Sequence, residues 1–323
     1  MVNSNLARGL DMRYFITGGA GFIGSNMVDR LMVNPDNFVT VYDNLSSGKR
    51  EFLKEHENKD HFKFIKADLL EFDELKQSIQ NHEFVFHFAA NADVRLGVEK
   101  TNTDLKNGIQ ATFNLLEAMR LADIKKIAFS SSSTVYGEAQ KIPTPEDYGP
   151  LVPISMYGAG KLGAEALIMA FASSFEMQAW IFRFANIIGR RGTHGVIIDF
   201  VNKLRKNSKE LEILGDGRQQ KSYLLVDECV ASILFAIEHS KDKVNIFNLG
   251  SQDNINVKRI GELIVEEMEL TNVNFKFTGG SRGWTGDVPI MLLDTRKISA
   301  LGWKGKYNSE GAVRQAIKDY LNE

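Results

Sequence analysis

Cysteine is nearly absent from the 323 residues: Cys229 stands alone, beside only six prolines. No disulfide framework can be built from one thiol, so a reducing compartment is expected and the chain reads as cytoplasmic. Long hydrophobic runs are also missing. No stretch of about 18 apolar residues occurs, and the opening MVNSNLARGLD has no apolar h-region, so neither membrane spanning nor export is expected. A charge excess is lacking too. With 39 Lys and Arg against 41 Asp and Glu, the net charge is −2, and a nucleic-acid surface, which needs a basic stripe, is excluded. The basic run KLRKNSK, Lys203 to Lys209, reads as a solvated helix end. No internal repeat or low-complexity segment appears, and no metal is implied.

What the sequence does hold is a rhythm. Short apolar runs, RYFIT, FVTVYD, FKFIKAD, FVFHFAA, KKIAFSSSS and AWIFRFAN, alternate with stretches whose apolar residues fall at helical spacing: 22–32, 72–80, 108–121 and 157–175. Strands alternating with helices specify an α/β fold, a doubly wound parallel sheet covered on both faces. After Asn186 the pattern changes to glycine-rich loops, GRRGTHG, LGDGRQ and TGGSRGWTGD. The expected division is a flexible lead-in at 1–11 and a Rossmann-like nucleotide domain at 12–187 that also receives about 222–250. A smaller, interleaved substrate domain takes 188–221 and 251–323.

The first strand runs into GGAGFIG, which places Gly18, Gly21 and Gly24 in a G-x-x-G-x-x-G spacing. Glycine permits the tight strand-to-helix turn and lets backbone approach a pyrophosphate at the helix N-terminus. The next strand ends in Asp43, 19 residues beyond Gly24. A carboxylate there accepts hydrogen bonds from ribose hydroxyls and repels a 2′-phosphate, so NAD is the expected cofactor. Capping of the DNLSSG turn is the alternative role for Asp43. Asp68, with Leu69 behind it, is placed near the adenine, or caps the following helix.

A second cluster lies at FSSSSTVYG, Phe129 to Gly137, where a strand end delivers serines to the carboxyl edge of the sheet. Downstream, MYGAGKLGAEAL puts Tyr157 and Lys161 at i and i+4 on one helix face. A cation beside a phenol favours phenolate, and such a tyrosine can take a proton from a sugar hydroxyl while hydride leaves the same carbon. Gly158 and Gly160 are poor helix formers, and suggest a close approach by cofactor or neighbouring backbone.

Taken in order, TGGAGFIG, HFAANADVR, SSSSTVYGE, YGAGK, RFANIIG, GDGRQQKSY and RGWTGD give a chain that resembles the extended short-chain dehydrogenase/reductase family, within it the sugar-nucleotide epimerases and dehydratases. The resemblance runs from Arg13 nearly to the C-terminus. It implies Ser132, Tyr157 and Lys161 as the catalytic trio, the last two also touching the cofactor. Phe22 and Ile23 join the glycine loop, Asn44 joins Asp43 on the ribose, and Ala89 and Ala90 line the far side. Asn186 falls on a ligand to the substrate's diphosphate or sugar, while His87 reads as a packed strand residue.

The chain also departs from the family pattern. Lys221 replaces an arginine, a point charge instead of a bidentate contact. Trp284 stands where an arginine is usual, which leaves Arg282 or Arg218 for the diphosphate. Gly108, beside Asn107, occupies the place of a family asparagine. Dehydratases of this group carry Asp-Glu after the catalytic hydroxyl, and uronate decarboxylases a glutamate before VYG. Here Ser133 and Thr134 stand instead, neither an acid or base at neutral pH, and both are placed against the substrate. What is left is a 4-epimerase of UDP-sugars, UDP-glucose and UDP-galactose in the simplest case. Met291, of middling size where size selects the sugar, keeps N-acetylhexosamines in play. A uronate, facing Arg95, Arg190 or Arg191, is a further alternative, and a nucleotide-sugar 4,6-dehydratase is the last. A non-catalytic NAD-binding regulator is disfavoured by the intact trio. Apolar residues around the helices 108–121 and 157–175, including Phe113, Leu116, Leu162, Ile168 and Met169, together with the resemblance, point to a homodimer.

Overall fold

The computed structural model describes residues 12–322 apart from 92 and 284–287, so the lead-in and Trp284 lie outside the described residues. The six apolar runs become β1 (Arg13–Thr17), β2 (Phe38–Asp43), β3 (Phe62–Lys66), β4 (Phe84–His87), β5 (Lys126–Ser132) and β6 (Gln178–Phe184). Shorter strands follow: β7 (Asn186–Ile188), β8 (Glu210–Ile213), β9 (Gln220–Lys221), β10 (Tyr223–Leu225), β11 (Val244–Leu249), β12 (Ile255–Asn256), β13 (Asn274–Phe277) and β14 (Ile290–Met291).

Seven of these form one sheet in the order β11-β6-β5-β4-β1-β2-β3, with β1 parallel to β2 and β4, β2 to β3 and β4 to β5. Phe15, Val39, Val41, Val85 and Ile127 are fully enclosed, because strands covered on both faces bury successive residues instead of alternate ones. Chain order reverses between β1 and β4, and a parallel sheet opens a ligand crevice beyond the carboxyl ends of the strands at such a point.

Crossovers are supplied by α1 (Phe22–Leu31), α2 (Phe72–Ser78), α3 (Leu96–Glu99), α4 (Ala111–Leu121) and α5 (Met156–Ser174). The helix expected over 108–121 differs at its start: Leu105–Gln110 forms a wider π turn before α4. That turn packs on a glycine face of α5. A Cβ on Gly108 would stand 3.3 Å from the Gly160 Cα, and one on Gly163 would stand 2.7 Å from the Ile109 Cδ1.

The chain divides into two compact units. The first takes the described residues up to Ser130 with Ala159–Ile181 and Lys241–Asn245; the second takes Ser131–Gly158, Phe182–Ser240 and the residues from Ile246 onward. The second unit contains α6 (Val196–Lys206), α7 (Val226–His239), α8 (Val257–Glu267), α9 (Arg296–Ala300) and α10 (Ser309–Asn322). Phe200, Val201, Leu211, Ile260, Leu263, Val313 and Ile317 form a core of their own. Among the described residues, no helix is long and apolar enough to cross a membrane.

Candidate active site

In the first unit the glycine turn closes on itself. Gly18 has φ +68°, and a Cβ there would meet the Ala89 N at 2.5 Å, so the Phe88–Ala89 backbone passes directly over it. The Gly21 N–H donates to the Gly18 carbonyl at 3.1 Å, and a side chain on Gly24 would run into the same carbonyl. The first turn of α1 holds no acidic residue and its N-cap, Gly21, offers no side-chain acceptor. The N–H groups of Phe22, Ile23 and Gly24 are therefore left for an anion. These residues fit the pyrophosphate of NAD.

Asp43 is 8% exposed, and its two oxygens accept from the N–H of Ala20 at 3.0 Å and of Leu45 at 2.8 Å. Turn capping and ribose binding are thus compatible, since a carboxylate has about four lone-pair directions and the described residues fill two of them. Burial raises the Asp43 pKa, and the two backbone donors oppose the rise. Asp68 caps the next turn through the Leu70 N–H at 2.9 Å and accepts from Asn44 Nδ2 at 2.8 Å, which ties the ends of β2 and β3 together. Leu69 is buried, its carbonyl held by Asn114 Nδ2 at 2.9 Å. Ala90 lies half-buried after Ala89.

Lys161 is the most perturbed cation of this unit. The residue is 5% exposed, and its ammonium donates to the Ser130 carbonyl at 2.6 Å and sits 4.7 Å from the Phe129 ring centre. Burial lowers its pKa to about 8, against the opposing pull of Glu165 and Asp104. His87 bridges the Thr17 and Thr112 hydroxyls at 2.7 and 3.0 Å. Burial, then the charge of Lys161, push its pKa down to about 3, so it is a neutral strand residue. Asp104 escaped the sequence analysis. It is 4% exposed, its Oδ2 has no hydrogen-bond partner among the described residues, and its Cβ stands 3.1 Å from where a Gly160 side chain would begin. No spacing in the sequence marks it, because its relation to Lys161 is made by the fold.

In the second unit Ser132 ends β5 and caps a 3-10 turn, Ser133–Tyr136. Ser132, Ser133 and Thr134 are half-buried, while Ser131, Val135 and Tyr136 are buried. The turn is riveted by the Tyr136 hydroxyl, which donates to Asn248 Oδ1 at 2.7 Å and accepts from Arg183 at 2.9 Å. A Cβ on Gly158 would stand 2.7 Å from the Thr134 carbonyl, so this turn lies against the helix residue next to Tyr157. Tyr157 and Lys161 are one helical turn apart on α5.

The remaining substrate candidates scatter more widely. Asn186 Nδ2 donates to the Ser222 carbonyl at 3.1 Å. Lys221 on β9 is in register with Met291 on β14, so two positions the sequence singled out separately are strand neighbours. The Arg218 side chain is exposed, with its backbone N–H on Asp216 at 2.9 Å. Arg282 pairs with Glu138 at 2.5 Å. Arg95 is exposed and held by Asp93 at 3.1 Å, and Arg190 pairs with Asp227 at 3.3 Å. Each of these three already has a carboxylate partner.

The NAD-dependent epimerase/dehydratase family matches residues 14–250. A putative UDP-glucose 4-epimerase of Methanocaldococcus jannaschii is 32% identical, over 94% of this chain and 96% of its own. A crystal structure of a UDP-galactose 4-epimerase superposes with a TM-score of 0.85 at 37% identity, covering 96% of this chain and 99% of the other. The UDP-N-acetylglucosamine 4-epimerase of Methanobrevibacter ruminantium gives a TM-score of 0.86 at 30% identity, with 97% and 99% covered. The chain belongs to the NAD-dependent epimerase/dehydratase family of enzymes.

Proposed function

We propose that the chain is a 4-epimerase of UDP-sugars, acting on the UDP-glucose/UDP-galactose pair. The observation that carries this reading is the turn after β5: a half-buried Ser132 is followed by hydroxyls at 133 and 134 and no carboxylate, against the helix that bears Tyr157 and Lys161. Ser132 holds the oxygen on carbon 4 of the hexose. Tyr157 takes the proton from that oxygen, and the Lys161 ammonium, one turn along, stabilises the phenolate. NAD, when bound, supplies hydride acceptance from carbon 4 and its return. With no acid or base at 133 or 134 to work at carbons 5 and 6, water is not eliminated. The oxidised sugar turns over, Tyr157 gives its proton back to oxygen 4, and the configuration at that carbon is inverted.

The nucleotide cradle is assigned to 12–187 with about 222–250, and the sugar-nucleotide contacts to 188–221 and 251–323. Asn186, Lys221 and Arg218 or Arg282 meet the diphosphate and sugar. The relatives named for UDP-glucose and UDP-galactose support the hexose. The one named for UDP-N-acetylglucosamine, with Met291 beside Lys221, favours N-acetylhexosamines as the second reading. The carboxylate partners of Arg95 and Arg190 weigh against a uronate. The protein is further assigned as a homodimer pairing through α4 and α5.

The test is incubation with a panel of UDP- and TDP-sugars, read by mass and NMR. Equal mass with inverted carbon 4 is expected; loss of water or carbon dioxide, or NADH accumulating with product, would refute the assignment. Tyr157→Phe is expected to abolish turnover while NAD stays bound, and normal activity in that variant would remove Tyr157 from its role.

A further inference from the structure

The hydroxyl chemistry of the turn after β5 extends from Ser132 to Thr134. A serine hydroxyl has one proton and two acceptor directions. On Ser132 both acceptor directions are taken by the same residue: the Thr134 N–H donates to Oγ at 3.2 Å, and the Thr134 hydroxyl donates to it at 3.0 Å. The remaining direction is that of Ser132's own O–H.

We propose that Thr134 is a positioning residue for the reaction: by donating twice to Ser132 Oγ it leaves the Ser132 proton free to point at the substrate oxygen on carbon 4. The inference rests on the role given to Ser132 under the proposed function and deepens it. Hydroxyls linked donor to acceptor polarise one another, so the series Thr134 to Ser132 to substrate oxygen makes Ser132 a better donor than a solitary serine.

The Thr134 backbone is fixed independently of its side chain. Its carbonyl accepts from the Gly137 N–H at 3.3 Å and lies against Gly158. Ser132 holds an extended cap conformation at φ −146°, ψ 151°. Tyr136, two residues on, is bonded to both Asn248 and Arg183. Replacing the threonine hydroxyl by a methyl group thus removes one donor from Ser132 and leaves the turn in place.

The test is a cycle of Thr134→Val, Thr134→Ser, Ser132→Ala and the double variant, measured as holoenzyme with bound NAD and melting temperature recorded for each. Thr134→Val is expected to lower kcat roughly 3- to 10-fold, the weight of one neutral hydrogen bond, with KM and bound NAD unchanged, and Thr134→Ser to restore most of it. In the Ser132→Ala background Thr134→Val is expected to add nothing, as residues acting through one another are non-additive. Wild-type kcat in Thr134→Val beside a crippled Ser132→Ala would overturn the inference. So would equal fold-losses in both backgrounds, or a rise in KM at constant kcat, which is the mark of direct substrate contact. If Thr134→Val does not fold, Thr134→Ala takes its place under the same criteria. Full turnover in Ser132→Ala is a different failure: it removes Ser132 from the reaction and overturns the proposed function's mechanism.

Discussion

The amine of Lys161 is a charge kept where charge is costly, and the carboxylates of Glu165 and Asp104 together make this tolerable. Among the titratable groups facing the ammonium, His87 on β4 is neutral, Glu165 shares its helix, and Asp104 comes from the segment before the π turn. Glu165 and Asp104 both hold the Lys161 pKa up against burial. On the proposed mechanism turnover should fall as pH rises through about 8, where Lys161 loses the charge proposed to stabilise a Tyr157 phenolate. Removing one carboxylate lowers the amine's pKa further, so Asp104→Asn should move that alkaline limb toward lower pH. A kcat–pH profile of both proteins decides it, and an unmoved or upward-shifted limb would remove Asp104 from the account. The Tyr157–Lys161 pair was legible because i and i+4 share a helix face whatever the fold. Asp104 was not, since 57 positions of chain separate it from Lys161.

At the scale of elements, α5 is more than a carrier of two side chains. Gly158 and Gly160 suggested a close approach in the sequence, and neighbouring backbone accounts for both: Gly158 meets the Thr134 carbonyl, Gly160 the Asp104 carbonyl at 3.0 Å. Alanine at 158 would gain up to about 1 kcal/mol of helix propensity, but its methyl group would collide with a carbonyl held on its other side by Gly137. Overpacking of this kind costs about 1–3 kcal/mol, so the collision wins. Gly158→Ala should lower the melting temperature and cut kcat by displacing the turn that carries Ser132. A variant as stable and active as the parent would show that the turn yields freely. The same glycines explain what the sequence concealed. The six main strands were readable from their continuous apolar runs and α1 and α4 from period, whereas the π turn at Leu105–Gln110 answers to glycines on α5 more than 50 residues away. Local pattern announces a close approach at Gly160 but not which segment makes it.

At the scale of the molecule, α4, α5 and Phe175 just after α5 present an apolar surface that the first unit leaves in water. Phe113 is 42%, Leu121 44% and Phe175 37% exposed, with Phe113 edge-on to Phe171 and Phe171 tilted against Phe175. Aromatic side chains gathered on paired helices are what an isologous interface buries. Phe113→Asp should therefore turn a dimer into a monomer in sedimentation at micromolar concentration, with bound NAD retained. A parent protein that sediments as a monomer would end the dimer assignment. Sequence showed the apolar circumference of these helices but not which part was already covered, because coverage depends on the packing of the whole unit.

The buried amine of Lys161 also has a meaning for chemical labelling. With a pKa of about 8 it holds more free base near neutrality than an ordinary lysine at 10.5, yet at 5% exposure and bonded to Ser130 it is shielded from any acylating reagent. Exposed lysines should acetylate at once and Lys161 only when β5 and α5 part, so its rate of modification, followed by peptide mass, clocks the opening of that part of the fold. Bound NAD should slow that clock, and labelling as fast as at the surface lysines would show that the strand and helix part freely.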